Sequence, residues 1–173
     1  MPQPRVSLAQ GLLQALPGGS DLVSGFRDCV KRIENATPCR QSPVLAPIHG
    51  AFGWDRIHYG VDGRFYLYRF ETCRRSDPGL DLGGFAADLL RFTIANHNEE
   101  AYRNCLDTFL SKYNAEAEHA MTRDNLRFYI ARDLVERLGR VECRTKADAG
   151  NLLAALDAES GRWEAVATCE AIS

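Results

Sequence analysis

Apolar positions follow a helical period over most of the chain and a strand period in one short stretch. Asp21 can cap a helix running to about Ala36, because Leu22, Phe26, Val30 and Ile33 recur at spacings of three and four residues and so share a face. Thr37 to Pro47 carries Pro38, Pro43 and Pro47, which leaves room only for a short extended piece around Val44 and Leu45. The strand-period stretch follows. Arg56-Ile57-His58-Tyr59 and Arg64-Phe65-Tyr66-Leu67-Tyr68-Arg69-Phe70 flank Gly60-Val61-Asp62-Gly63, whose Asp-Gly pair predicts the positive φ angles of a tight hairpin turn.

Helical periods then return. Asp81 is placed to cap a helix from Leu82 to about Asn96, with Leu82, Phe85, Leu89, Leu90 and Phe92 as its stripe. A further helix is predicted over about Asn98 to Asn114, with Tyr102, Leu106, Phe109, Leu110 and Tyr113 inward. Another runs from about Thr122 to Cys143, where Leu126, Ile130, Leu134 and Leu138 repeat every four residues and Val141 continues the face. Opposite them, Asp133 with Arg137 and Glu136 with Arg140 make i,i+4 ion pairs, each worth about 0.2–0.5 kcal/mol. Thr145-x-x-Asp148 resembles a capping box opening a last helix through Leu152, Leu153 and Leu156. Residues 1–20, with Pro2, Pro4, Pro17, Gly18 and Gly19, read as a flexible N-terminal segment, residues 21–160 as the folded domain and 161–173 as a tail. The order of helix, small hairpin and four helices predicts an α+β fold that is mostly α.

Composition narrows the function classes without naming one. The chain has 173 residues, 45% hydrophobic and 25% charged, as in one ordinary globular domain, which excludes disorder and a coiled coil. A net charge of −2 asks for no polyanionic partner, so no nucleic acid is expected. No apolar run approaches the roughly 18 residues of a membrane span, and Met1 to Gly19 has no apolar core of a signal peptide. A cytoplasmic location is expected, with no membrane partner. The six cysteines, Cys29, Cys39, Cys73, Cys105, Cys143 and Cys169, form no CxxC or CxxH pair. They predict buried free thiols rather than a zinc site or disulfides.

Three separated motifs carry chemical information. His49-Gly50-Ala51-Phe52-Gly53-Trp54-Asp55-Arg56 precedes the hairpin, Arg69-Phe70-Glu71 ends it, and Ser76-Asp77-Pro78-Gly79-Leu80-Asp81-Leu82 leads into the helices. In order and spacing they resemble the C-terminal lobe of the aminoglycoside phosphotransferase and choline kinase family, relatives of the protein kinases. That family reads His-Gly-Asp-x-x-x-x-Asn, a hairpin, Asp-Phe-Glu and Gly-Asp-Pro-x-x-Asp-Leu. The resemblance implies a kinase-like C-terminal lobe with a helical subdomain, the N-terminal lobe being absent, since 20 residues before Asp21 hold no Gly-rich phosphate loop.

The resemblance also marks what has changed. Its catalytic Asp aligns with Ala51, its magnesium-binding Asn with Arg56, and its second magnesium-binding Asp with Arg69. Phosphoryl transfer depends on the metal and on an oriented nucleophile, and a methyl group supplies neither. Like unit charges about 4 Å apart repel by roughly 4 kcal/mol at an effective dielectric near 20, and a divalent ion roughly doubles that. The scaffold positions His49, Gly50, Phe70, Glu71, Asp77 and Asp81 are retained. This combination predicts a phosphotransferase-like chain unable to transfer phosphate by itself, with a binding or scaffolding role and no cofactor; ATP and magnesium are expected only if the family's activity survives.

Two other readings remain open from the residues. Asp55, the one carboxylate in the loop, could serve with Glu71 in a rearranged kinase site completed by a partner-supplied lobe, although a loop Asp more often caps a turn. Arg56 and Arg69, converging on the family's metal site, have the charge to hold a phosphate or carboxylate directly. The face that an N-terminal lobe would cover predicts an apolar patch open to a protein partner or to self-association. Arg64, Arg69, Arg74 and Arg75, interleaved with aromatic residues, fit the alternation of a half-buried hairpin better than a nucleic-acid surface. His49 reads as a buried, hydrogen-bonded loop residue and His58 as a strand residue. His97 and His119 read as helix-end positions, and Gly83-Gly84 as a close helix-packing site.

Overall fold

The computed structural model describes residues 19–35, 44–96, 98–138, 150 and 152–155, with residues 10 and 14. Its elements in chain order are helix α1 (Gly19–Asn35), strand β1 (Ala46–Ile48), strands β2 (Ile57–Tyr59) and β3 (Phe65–Leu67), and strand β4 (Arg74–Ser76). Helices α2 (Gly79–Ala95), α3 (Glu99–Glu116) and α4 (Arg123–Leu138) follow. Most described residues are helical, and the strands form two separate antiparallel pairs, β1 with β4 and β2 with β3. The anticipated segments 1–20 and 161–173 lie almost wholly outside the described residues. So do the Thr145–Asp148 box, Arg140, Val141, Leu156, His97, and the side chains of Leu22, Ile33 and Leu138.

The helices hold the core. Helix α2 packs chiefly on α4, with α3 against α2 and α1 against α4. Leu82, Ala86, Leu89 and Leu90 of α2 join Leu126, Ile130 and Leu134 of α4 in one buried cluster, which Phe26, Val30, Tyr102 and Leu106 extend. Gly83 makes the α2–α4 approach close, because a Cβ there would overlap both the Cβ and the backbone of Tyr129. Asn98 caps α3 by accepting from the Ala101 amide at 3.1 Å.

Several expectations need correction. The buried stripe of α2 turns toward Ala86, Ala87, Leu90 and Thr93, so Phe92 falls outside it and is 64% exposed. Strand β1 begins just after Val44 and Leu45 and pairs Ala46 with Ser76 and Ile48 with Arg74. Its partner β4 gave no strand signal because it is a three-residue Arg-Arg-Ser piece with no alternation to read. The hairpin turn is a three-residue loop. Gly63 N donates to Gly60 O at 3.0 Å and Gly60 N to Arg64 O at 2.8 Å, and only Gly63, at φ 77°, takes a positive φ. Asp62 instead accepts from the Arg64 amide and the Tyr66 hydroxyl, and these bonds hold its carboxyl below the usual carboxylate range. The hairpin is not half-buried: every residue from Val61 to Arg75 is exposed. Cys29, Cys73 and Cys105 form no disulfide among the described residues, but Cys73 and Cys105 are exposed because they sit beyond the hairpin and on the outer face of α3; Cys39, Cys143 and Cys169 lie outside the described residues.

Candidate functional site

The loop after β1 is shaped by a carboxylate from far along the chain. Buried Ile48 ends β1 and delivers His49, Gly50 and Ala51 to the start of α2. Asp81 accepts from the His49 amide at 2.6 Å, the Gly50 amide at 2.9 Å and the Phe52 amide at 3.4 Å. Asp81 therefore lies inside the first turn and does not cap the helix. The capping contact belongs to Asp77, which accepts from the Gly79 amide at 2.8 Å and from the Tyr129 hydroxyl at 2.7 Å. Helix α2 starts earlier than the apolar period suggests because Pro78 presets a helical φ next to that cap.

Gly50 is required here. Its φ is 83°, and a Cβ would overlap the Thr72 carbonyl. The Thr72 hydroxyl donates to the His49 carbonyl at 2.8 Å, tying the turn after the hairpin to the loop. His49 is 8% exposed, its ring 5.0 Å from that of Phe70 and its Nε2 2.9 Å from the Tyr68 carbonyl. That acceptor assigns the ring proton to Nε2 and leaves Nδ1 without a hydrogen-bond partner among the described residues. Sequence-marked His49, Gly50, Phe70 and Asp81 thus form one connected network. Glu71 is exposed and faces Arg69 at 3.8 Å. Arg69 itself takes a left-handed backbone, φ 66° and ψ 58°.

A cleft of about 740 Å³ opens between this loop and helices α2 and α4. Ala51, Asp55, Arg56 and Asp81 line it, while Arg69 and Glu71 do not. Asp55 lies 3.1 Å from Arg56 Nη1, and its carbonyl accepts from the Tyr68 hydroxyl at 2.5 Å. Arg56 is mostly buried, and its Nε and Nη1 make no hydrogen bond of good geometry among the described residues. The expected convergence of Arg56 and Arg69 on one cleft is therefore not seen. Each faces its own neighbouring carboxylate.

The far wall holds Asp88, which sequence reasoning passed over, beside Asp133 and Arg137. Arg137 lies 2.7 Å from Asp88 Oδ1, bonds Asp133, and donates to the Gly84 carbonyl at 3.3 Å. Asp133 and Arg137 form the anticipated i,i+4 pair, but facing the cleft with Asp88 as a third member rather than as an outward surface pair. Burial pushes the Asp88 carboxyl above the usual range; the Arg137 charge opposes this and the Asp133 charge adds to it. The available signal was Asp88 itself, a lone carboxylate within the apolar run Ala86-Ala87-Asp88-Leu89-Leu90.

The cleft is polar, and its acidic and basic groups largely pair with each other. Arg91 faces Asp88 at 3.6 Å and Arg132 faces Glu136 at 3.6 Å. Magnesium does not fit the two positions that the resemblance marks for it, Arg56 and Arg69, because both carry guanidinium groups. Among the described residues no group of three or more His, Cys, Asp or Glu side chains converges to hold a metal ion. No helix among them is long and apolar enough to cross a membrane. Comparison of the chain with protein-family models, curated proteins and solved structures finds no match.

Proposed function

We propose that this chain is a phosphotransferase-like fold that transfers no phosphate by itself and serves as a binding module. One observation carries the reading. Four of the scaffold residues, His49, Gly50, Phe70 and Asp81, engage one another through the Asp81 carboxylate and the His49 ring, while the residue displayed to the cleft at the expected catalytic position is the Ala51 methyl. Two antiparallel strand pairs around that loop, followed by packed helices, support a kinase-like C-terminal lobe. A methyl cannot orient a hydroxyl nucleophile, and Arg56 and Arg69 would repel a divalent ion that an Asn and an Asp should hold.

Phosphoryl transfer to a panel of amino and hydroxyl acceptors, assayed with ATP and magnesium, tests this directly. ATP consumption is expected to stay at the protein-free background, both for the natural chain and for the Ala51→Asp/Arg69→Asp variant. Magnesium-dependent turnover abolished by Asp55→Ala would replace the reading with a rearranged kinase site.

A second reading rests on Arg56, whose buried guanidinium is the least satisfied polar group of the loop. A buried donor without an acceptor costs about 1–3 kcal/mol, so an anion entering the cleft gains by pairing with it. Pyrophosphate at low salt should then raise the melting temperature without magnesium, and Arg56→Gln should remove the rise. No shift with either pyrophosphate or ATP would end the anion reading.

A further inference from the structure

We propose that the outer edge of β3 docks an extended segment of another protein, one that alternates apolar and acidic side chains. The strands β2 and β3 form a two-stranded pair with no third strand beside either among the described residues. Hydrogen bonds from Gly60 N to Arg64 O at 2.8 Å and from Tyr68 N to Arg56 O at 3.3 Å set the ladder on even-numbered residues. The N–H and C=O groups of Phe65 and Leu67 therefore point away from β2, along an unpaired edge. By the period-two alternation the same residues share a side-chain face with Ile57 and Tyr59.

That face lacks cover. Phe65 is 73% exposed, Tyr59 62% and Leu67 47%, and the Tyr59 and Phe65 rings touch with centroids 4.9 Å apart. An isolated two-stranded hairpin is marginal in water, and a contiguous exposed apolar patch marks an interaction site. An added strand supplies both missing contributions: main-chain hydrogen bonds to residues 65 and 67, and apolar side chains over Tyr59, Phe65 and Leu67.

Charge selects the occupant. Arg64 and Arg69 bracket β3, with side chains 80% and 57% exposed, and their nearest carboxylates are distant at 3.9 and 3.8 Å. Asp62 is also committed to the Tyr66 hydroxyl at 2.6 Å and the Arg64 amide at 3.2 Å. A carboxylate on the incoming strand can make the shorter, charge-assisted contact that these arginines lack. A second copy of this chain is a poor occupant. Antiparallel pairing of β3 with its own mate about Tyr66 sets Arg64 opposite Tyr68 and Arg69 opposite Gly63, so a second copy places no carboxylate opposite either arginine.

The test uses the full chain labelled with ¹⁵N and a short fluorescein-labelled peptide alternating Val and Glu. Saturable binding is expected, with slowed amide exchange at Phe65 and Leu67. Arg64→Glu should weaken binding several-fold, and a Val-Lys peptide should prefer that variant to the natural chain. Phe65→Ser, a change at an exposed side chain, should lose binding with an unchanged circular dichroism spectrum. Four results each overturn the proposal: no binding, equal binding of Val-Glu and Val-Lys peptides to the natural chain, protection of the same amides by self-association without peptide, or their protection by a single-stranded oligonucleotide instead of the peptide.

Discussion

Between Leu82 and Leu90 α2 buries seven of nine residues, with Phe85 and Asp88 half-buried, whereas from Val61 to Arg75 every residue of the hairpin region meets water. Both stretches are rich in apolar residues. They differ in what surrounds them: α2 has α3 and α4 against it, while β2 and β3 pair with each other and with no third strand among the described residues. Apolar content alone therefore does not report stability, since burial contributes only where a second surface removes the first from water. The helices supply the free energy of the fold, and the hairpin holds surface in reserve.

The largest test of that contrast is a pair of truncations. Leu134→Ala, in a fully buried position, should lower the unfolding free energy by about 2–5 kcal/mol, through lost transfer energy and the cavity left behind. Phe65→Ser should change it by no more than about 0.5 kcal/mol in the same urea titration. Similar losses at the two positions would place the hairpin inside the cooperative core.

The loop between the two regions should respond at an intermediate level. Asp81→Ala removes the acceptor shared by the His49, Gly50 and Phe52 amides, at a cost on the order of 2 kcal/mol. Amide exchange at His49 and Gly50 should quicken while that of the α4 core stays slow. Uniform quickening would mean that the loop and the helices open together.

The smallest effect concerns acid. Burial holds the Asp88 carboxyl above its ordinary value of 3.8, so the folded chain keeps this proton to higher pH than the unfolded chain does. The stability this group contributes is fully present below the unfolded value and is lost as pH rises through the folded one. Asp88→Asn cannot titrate, so its stability relative to the natural chain should climb as pH rises above the ordinary carboxylate value. A pH-independent difference in urea titrations would show that the Arg137 charge cancels the effect of burial on the carboxyl.

The helices were readable in the sequence because an amphipathic period is repeated over several turns. Tyr102, Leu106, Leu126, Ile130 and Leu134 all face inward as that period demands. Strand β4 was not readable, because three residues cannot establish an alternation and its pairing with β1 joins positions 46 and 76. The loop residues His49, Gly50 and Asp81 were singled out as scaffold positions, but their mutual hydrogen bonds were not foreseen and Asp81 was assigned a cap that Asp77 provides. Helix starts are poorly specified when two carboxylates stand within one turn of each other. The Asp88–Arg137 contact escaped notice because it joins separate helices, and no single-helix pattern contains it.

The left-handed bend at Arg69 has one last consequence. Its neighbours are anchored on either side, the Tyr68 carbonyl by the His49 ring and Thr72 by the His49 carbonyl, so the path of the main chain through residue 69 is imposed from outside. An L-residue there bears roughly 1 kcal/mol of conformational cost whatever its side chain, and Asn or Asp would bear less. Shape at this corner is thus inherited independently of the group it displays, so substitution at residue 69 can exchange one charge for another without redrawing the route of the polypeptide.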